Sequence, residues 1–574
     1  MKTKYKYLIL ILVTVLTSVF VYDYIEENKP VVVNDNLFKT QSDVEEKILN
    51  DNNYSISNPK VILNPYKISP LTALVIFKTN DLASVTVTIK GKNDDGDIVH
   101  TFVPNKTHYI SIYGLYPDYE NTVIIKASSE EKVLKIKTDK LPDFIKNSSV
   151  FESNYDDFYF TTSDEINGYP VAYDKNGNVR WYLTRPFSYD FTRLENGYIL
   201  LGSDSLMKDP YYSSGLVEMD LLGKVYFEYK TPGGYYRDVY EKIDGNLILL
   251  SNDFSSNTLE DVIVEIDRNT GDVIKKFDFS KLFKGQQDNW LALNSLSYDM
   301  KTNSIVTVGS KKNMITNIDY NTGEINWIIA EKIDNEYKKY LLKASDNVEY
   351  PINPSSVILL DEDSIAYINS INNEKHLIIY DIDPVERIFK ETKNYNLGVC
   401  DGTANMDYIG GKFIITLENS IRILSNNELT TIMKTSSSLY SAKTSSIYAG
   451  DMYLLGNGSS LGHTGITPTV KDHSVIFHKK DDSVFKTYNL NLSADVNRLV
   501  VSGTFKKSDK VQIILDNVLS KKTYDVDIMN GNETASGKME TTTYINKEGI
   551  YGKYYIYLKI NGVNYKLCKY AMMS

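Results

Sequence analysis

The sequence predicts an all-β chain, with an N-terminal β-sandwich followed by a β-propeller behind an apolar N-terminal segment. Short apolar strand patterns recur at intervals of about ten residues across positions 60–142, broken by Gly, Asn and Asp, as in a small sandwich. From Phe151 a longer repeat takes over. Its turn positions Gly197, Gly245, Asn303, Asp363, Gly411 and Gly450 lie roughly 40 to 60 residues apart, the period of propeller blades or solenoid units. Helical periodicity is almost absent between these units, which excludes an alternation of strands and helices.

Each element has its own justification, in chain order. "MKTKYKYLILILVTVLTSVFVYDYIEE" places Lys2, Lys4 and Lys6 ahead of an apolar run at positions 8–22. Positive charge before the run sets the N-terminus inside and the remainder outside the cell. No small-x-small cleavage site follows, so residues 1–30 are expected to be an uncleaved signal-anchor, a secreted form after cleavage being the competing reading. Residues 31–59 are polar and read as a stalk. The sandwich, 60–142, holds the patterns "TALVIFKT", "SVTVTIKGK", "DIVHTFV", "HYISIYGL", "NTVIIKAS" and "KVLKIKT".

The propeller, 150–490, combines two motifs. One is a polar turn leading into an apolar strand, as in "ENGYILLGS", "DGNLILLSN", "KTNSIVTVG", "DEDSIAYIN", "IGGKFIITL" and "YAGDMYLLG". The other is a hairpin, as in "YPVAYDKNGNVRWYL", "GLVEMDLLGKVYFEY", "VIVEIDRNTGDVIKKF" and "MITNIDYNTGEINWII", with weaker copies further on. Asn-Gly and Thr-Gly inside such runs are strong hairpin-turn signals. Six blades with a shared closing blade fit this count, and seven stay open at this point. Residues 491–574 carry further strand patterns and read as a small C-terminal β unit.

The 574 residues carry a net charge of -11. No basic stripe is available to displace phosphate counterions, so a general nucleic-acid binder is excluded. There are 45 Tyr against 20 Phe, which favours strands with one wet edge. Paired His, CxxC and calcium-loop patterns are missing, so neither a metal site nor a cofactor is expected. Cys400 and Cys568, the only cysteines, are far apart, and whether they pair is open.

Specific residues resemble a known family. "NPYKISPLTALVIFKT", "YGLYPDYENTVIIKA", "GYPVAYDKNGNVRWYL", "TPGGYYRDVYEKIDGNLILL", "WLALNSLSYD" and "IDYNTGEINWI" are similar to the bacterial aryl-sulfate sulfotransferases that use no nucleotide donor. The resemblance covers most of positions 64–488. It implies a six-bladed propeller, an extracytoplasmic location and a site on the propeller axis. It also implies a histidine that takes a sulfuryl group from an aryl sulfate and passes it to a phenol, with further histidines and an arginine on the sulfuryl oxygens. Such a group spreads negative charge over three oxygens in flight and needs donors around it.

This chain departs from that pattern at each site column. The family's histidines after "GGY" fall on Tyr236 and Arg237, and the one before Asn-Ser falls on Ala292. The arginine falls on Ser310, and the nucleophile on Pro354 or Ser355. There is no histidine between His108 and His376. The frame of Trp290, Asn294 and Ser295 is kept while the imidazole is missing. The expected reading is therefore a non-catalytic, ligand-binding member of the family. Tyr235, Tyr236, Arg237, Asn294, Lys311 and Lys312 are candidates for holding an anionic or phenolic molecule. The alternatives are an active enzyme with rearranged chemistry, using a Tyr or His463, and a surface propeller that binds protein or glycan. An oligomer is compatible with either.

Overall fold

In the computed structural model the described residues are 53–92, 96–151, 157–164, 168–207, 212–268, 271–360, 363–402, 404–449, 487–494, 498–516, 521–534, 537–546 and 552–572, with 41, 43, 44, 47, 48 and 484 besides. They form an all-β protein. Lys60–Leu63, Ala73–Ile89, Ile98–Ile112, Glu120–Ala127 and Glu130–Lys137 make a five-stranded N-terminal sheet. Here the structure corrects two expected turns. Asn80–Asp81 and Asn105 do not reverse the chain but sit at register irregularities inside two long strands. Each strand therefore spans what reads in sequence as two.

Six sheets follow among the described residues, each an antiparallel meander of four strands, two of them with a fifth at the edge that is parallel in one case and antiparallel in the other. Their first strands are Ser188–Arg193, Val239–Glu241, Leu293–Asp299, Ser355–Leu359, Ala404–Ile409 and Leu439–Ser445. The sixth sheet joins Leu439–Ser445 to Phe158–Ser163, Val171–Tyr173 and Val179–Tyr182, so strands from opposite ends of the propeller region pair in one sheet. This is propeller architecture with a shared closing sheet, which leaves no long free edge at the join.

Local chemistry explains the repeat. The turn-plus-strand motif supplies the second strand of five sheets, and hairpins supply the third and fourth. In two of these hairpins the amide of Gly177 donates to the Asp174 carbonyl at 2.9 Å and that of Gly323 to the Asp319 carbonyl at 2.8 Å. Both glycines have positive φ, 77° and 73°, where a side chain would be strained. Between sheets lie flat apolar layers. Val306, Val308, Ile315 and Trp327 of the third sheet meet Val357, Ile365 and Tyr367 of the fourth, and similar layers fill the neighbouring gaps.

The N-terminal sheet shares one core with the sixth and first propeller sheets. Trp181, fully buried, donates its indole N–H to the Leu221 carbonyl at 2.8 Å, and Ser69 donates to the same oxygen. Where it is described, the segment expected as a stalk lies on the protein. The Gln41 side-chain amide exchanges two hydrogen bonds with the backbone of Val225, and Ile48 is buried. Residues from 491 onward form two further sheets around a separate apolar core. Cys400 is buried, and its thiol donates to the Gly402 carbonyl at 3.6 Å. Among the described residues no helix is long and apolar enough to cross a membrane. The apolar run at 8–22 and His463 lie outside the described residues.

Candidate functional site

The first strands of the six sheets are unlike the others in sequence. "SYDFTR", "LNSLSYD", "ANMDYI" and "LYSAKTS" are polar and lack apolar alternation. Four of the six carry a register irregularity, at Ser188/Thr192, Leu293/Ser295, Ser355/Ile358 and Leu439/Ser441. Tyr189, Arg237, Ala292 and Ser356, at or just before the start of four of these strands, have φ of 63°, 65°, 52° and 53°. Left-handed backbone is costly for residues other than Gly, and bulges re-aim side chains. The same strained device recurs in four sheets, and two of its residues, Arg237 and Ser356, line a shared space.

That space is a cavity of about 390 Å³. Arg237 and Asp238 line it from the second sheet, Asn294, Ser295 and Ser310 from the third, Ser355 and Ser356 from the fourth, Asn405 from the fifth and Tyr440 from the sixth. Hydrogen bonds stitch the wall from sheet to sheet. Asn294 Nδ2 donates to the Pro354 carbonyl at 3.0 Å, Ser356 Oγ to Asn405 Oδ1 at 2.7 Å, and Tyr440 OH to the Arg237 carbonyl at 3.2 Å. Another cleft, about 290 Å³, opens beside Asp299, Asn326 and Asp363, and none of the family's site columns falls in it. The axial cavity is the candidate site.

Its electrostatics are mixed. Arg237 has no hydrogen bond from its guanidinium and no ion pair among the described residues. Asp238 accepts from the Leu296 amide at 2.8 Å and has no ion-pair partner either. Burial, with Asp190 close by, pushes the Asp238 carboxyl up to about 7. Beneath them Lys443 sits between Asp190 at 3.5 Å and Asp407 at 3.4 Å. Asp190 Oδ1 and the Tyr235 and Tyr236 hydroxyls are buried without a partner. Burial holds Tyr235, Tyr236 and Tyr440 well above 10, so their phenols stay protonated.

Among the sequence candidates, the structure brings Arg237, Asn294, Ser310 and Ser355 to the cavity wall. Ala292 lies just behind it, buried, its carbonyl accepting from the Ser310 amide and hydroxyl. The others are placed elsewhere. Tyr235 and Tyr236 are packed into the layers between sheets. Lys311 is exposed and donates to the Asn289 carbonyl, and Lys312 lies over the Trp290 ring at 5.7 Å. A short 3-10 turn, Ser310–Lys312, carries both lysines out of the cavity. Sequence reasoning missed Asp238, Asp190 and Lys443. The available signal was the repeated Tyr189-Asp190 and Arg237-Asp238 pairing at the head of successive sheets.

The retained frame makes a prediction about Ala292. Its backbone is already left-handed, with φ of 52°, a conformation histidine tolerates better than most residues. The cavity lies beside it. Ala292→His should therefore melt within a few degrees of wild type, a change under roughly 1 kcal/mol, where a filled site would lose about 1–3 kcal/mol to overpacking. Thermal denaturation of the two proteins checks it.

Fold and site together define a β-propeller with a polar axial pocket and an N-terminal sheet domain packed against its closing sheet. Residues 145–392 match the arylsulfotransferase (ASST) family and residues 60–140 match the arylsulfotransferase Ig-like domain. The chain belongs to the arylsulfotransferase family. The arylsulfate sulfotransferase AssT of Lelliottia amnigena is 19% identical over 409 residues, 51% of this chain and 67% of that protein. Its namesake from Escherichia coli O6:H1 is 21% identical over 391 residues, 47% of this chain and 63% of that protein. A putative 6-phosphogluconolactonase from Bacteroides fragilis superimposes with a TM-score of 0.32 at 11% identity, over 64% of this chain and 99% of that one. That likeness is too distant to bear on the site.

Proposed function

We propose that this protein is an extracytoplasmic, membrane-anchored arylsulfotransferase-family propeller of six blades that binds a small anionic or phenolic molecule on its axis and transfers no sulfate. One observation carries the reading. Among the described residues, the cavity at the family's site columns holds an arginine without an ion pair and no histidine. Sulfuryl transfer through the protein needs a nucleophile that is uncharged and basic near neutral pH, which imidazole provides. The hydroxyls on offer do not replace it. Tyr440 stays protonated through burial, and the Ser355 hydroxyl donates to the Ala404 carbonyl at 3.2 Å. Binding needs less. Arg237 presents a planar, always-charged donor set suited to an anion.

The test is transfer of sulfate from 4-nitrophenyl sulfate to a phenol by the purified chain. The expected rate equals that of a no-protein control. Sustained turnover, or a sulfated histidine found by mass spectrometry, would overturn the reading.

A further inference from the structure

Arg237 and Asp238 are half-buried neighbours of opposite charge on one cavity wall, yet among the described residues neither forms an ion pair, and Asp238 is held only by hydrogen bonds from the Leu296 amide and the Ser295 hydroxyl. A buried carboxylate without a cation is expensive, and so is a guanidinium without an acceptor. Arg237 holds a left-handed φ of 65°, an uncommon backbone conformation for a residue of its type. A third group adds to the pattern. Asn294 Nδ2 is committed to the Pro354 carbonyl, which fixes Oδ1 as a buried acceptor, and that atom has no partner. A sulfate-ester oxygen carries no proton and cannot satisfy an acceptor or a carboxylate. An ammonium can satisfy both.

We propose that the axial cavity binds a free α-amino acid, its carboxylate on Arg237 and its ammonium between Asp238 and Asn294 Oδ1. This deepens the reading of the cavity as a ligand site and rests on it. The volume of about 390 Å³ suits a molecule of that size. Besides burial, Asp190 from the first sheet raises the pKa of Asp238, while the Leu296 amide, Lys443 from the sixth sheet and the Ser295 hydroxyl lower it, and Lys375, Asp164 and Asp401 line the same cavity. Burial and the Asp190 carboxylate outweigh Lys443 and the two hydrogen bonds and hold Asp238 near the point of protonation. A bound ammonium adds a directly paired cation and favours the carboxylate.

Thermal shift of the full chain against each of the twenty standard L-α-amino acids, followed by calorimetry on the best, tests the proposal. That amino acid is then compared with its deaminated acid, its decarboxylated amine and phenyl sulfate. The expected result is binding of the amino acid, with either single-charge analogue weaker by at least about tenfold. Asp238→Asn should weaken the amino acid but spare the deaminated acid, Arg237→Met should weaken both, and wild-type affinity should rise between pH 6 and pH 8. Because the analogue series uses wild-type protein, it decides the matter even if a variant fails to fold. Phenyl sulfate binding with no amino acid bound would overturn this inference and leave the anion reading standing. No binding by any probe would remove both. An amine or a deaminated acid that binds as well as the amino acid would also overturn the zwitterion.

Discussion

Arg180→Ala is expected to cost about 3–5 kcal/mol of folding stability, the range for breaking a buried pair while its carboxylate stays behind. Arg180 is 1% exposed and lies on the last strand of the sixth sheet. Its Nη1 donates to Asp174 Oδ2 at 3.1 Å and its Nε to the Gly114 carbonyl at 2.8 Å. Its guanidinium also stacks on the Tyr116 ring, 3.7 Å from the centroid. Asp174 belongs to the propeller, whereas Gly114 and Tyr116 belong to the N-terminal domain. One side chain thus joins the two modules, and alanine would leave Asp174 buried and short of a cation. Urea denaturation measures the loss. Arg180→Lys should recover only part of it, since an ammonium cannot stack and bridge in the same geometry. A loss under about 1 kcal/mol for Arg180→Ala, the level of a surface pair, would show that the joint is solvated.

How much of this was legible in the sequence depends on which strands bury apolar surface. The second strands and the hairpins stood out because both faces meet neighbouring sheets, so apolar runs such as "LILLS" and "VIVEI" survive selection for packing. The first strands did not, because they border a polar axis and carry bulges. "SYDFTR" and "ANMDYI" have no periodicity to detect. The candidate site residues are concentrated on or just before those strands. Arg237 and Asn294 were reachable through the family's columns, whereas Asp238 and Lys443 depend on how distant sheets converge. Lys311 and Lys312 were misleading for a related reason. Their charge is visible in sequence, but the left-handed Asn313 that closes their turn, with φ of 52°, is a local backbone feature that points them outward. The sandwich strands were over-divided because Asn and Asp mark bulges as well as turns.

Acid should weaken the N-terminal domain well before its carboxylates are protonated. Burial lowers His100 and His108 from 6.5 to about 4. His100 stacks on Tyr448 at 4.5 Å, and His108 stacks on Phe77 at 4.7 Å. His108 Nε2 lies 2.9 Å from Thr79 Oγ1, while its Nδ1 has no partner. Both rings are therefore held neutral in the fold, whereas the unfolded chain takes up their protons first as pH falls. Stability from the neutral rings is complete above about pH 6.5 and is lost progressively toward pH 4, at roughly 1–3 kcal/mol for each ring after allowing for solvent screening. Urea melts at pH 7.5, 5.5 and 4.5 should show the decline. The double variant His100→Phe, His108→Leu, which keeps ring packing at one site and apolar volume at the other, isolates it from carboxylate titration. Its stability should fall less than that of wild type over the same interval. Parallel declines in the two proteins would mean that the imidazoles are solvated enough to titrate normally in the fold. Tyr448 donates to the Ser111 carbonyl and lies on the chain just beyond the closing strand, so charging His100 would strike the contact that seats the domain on the propeller.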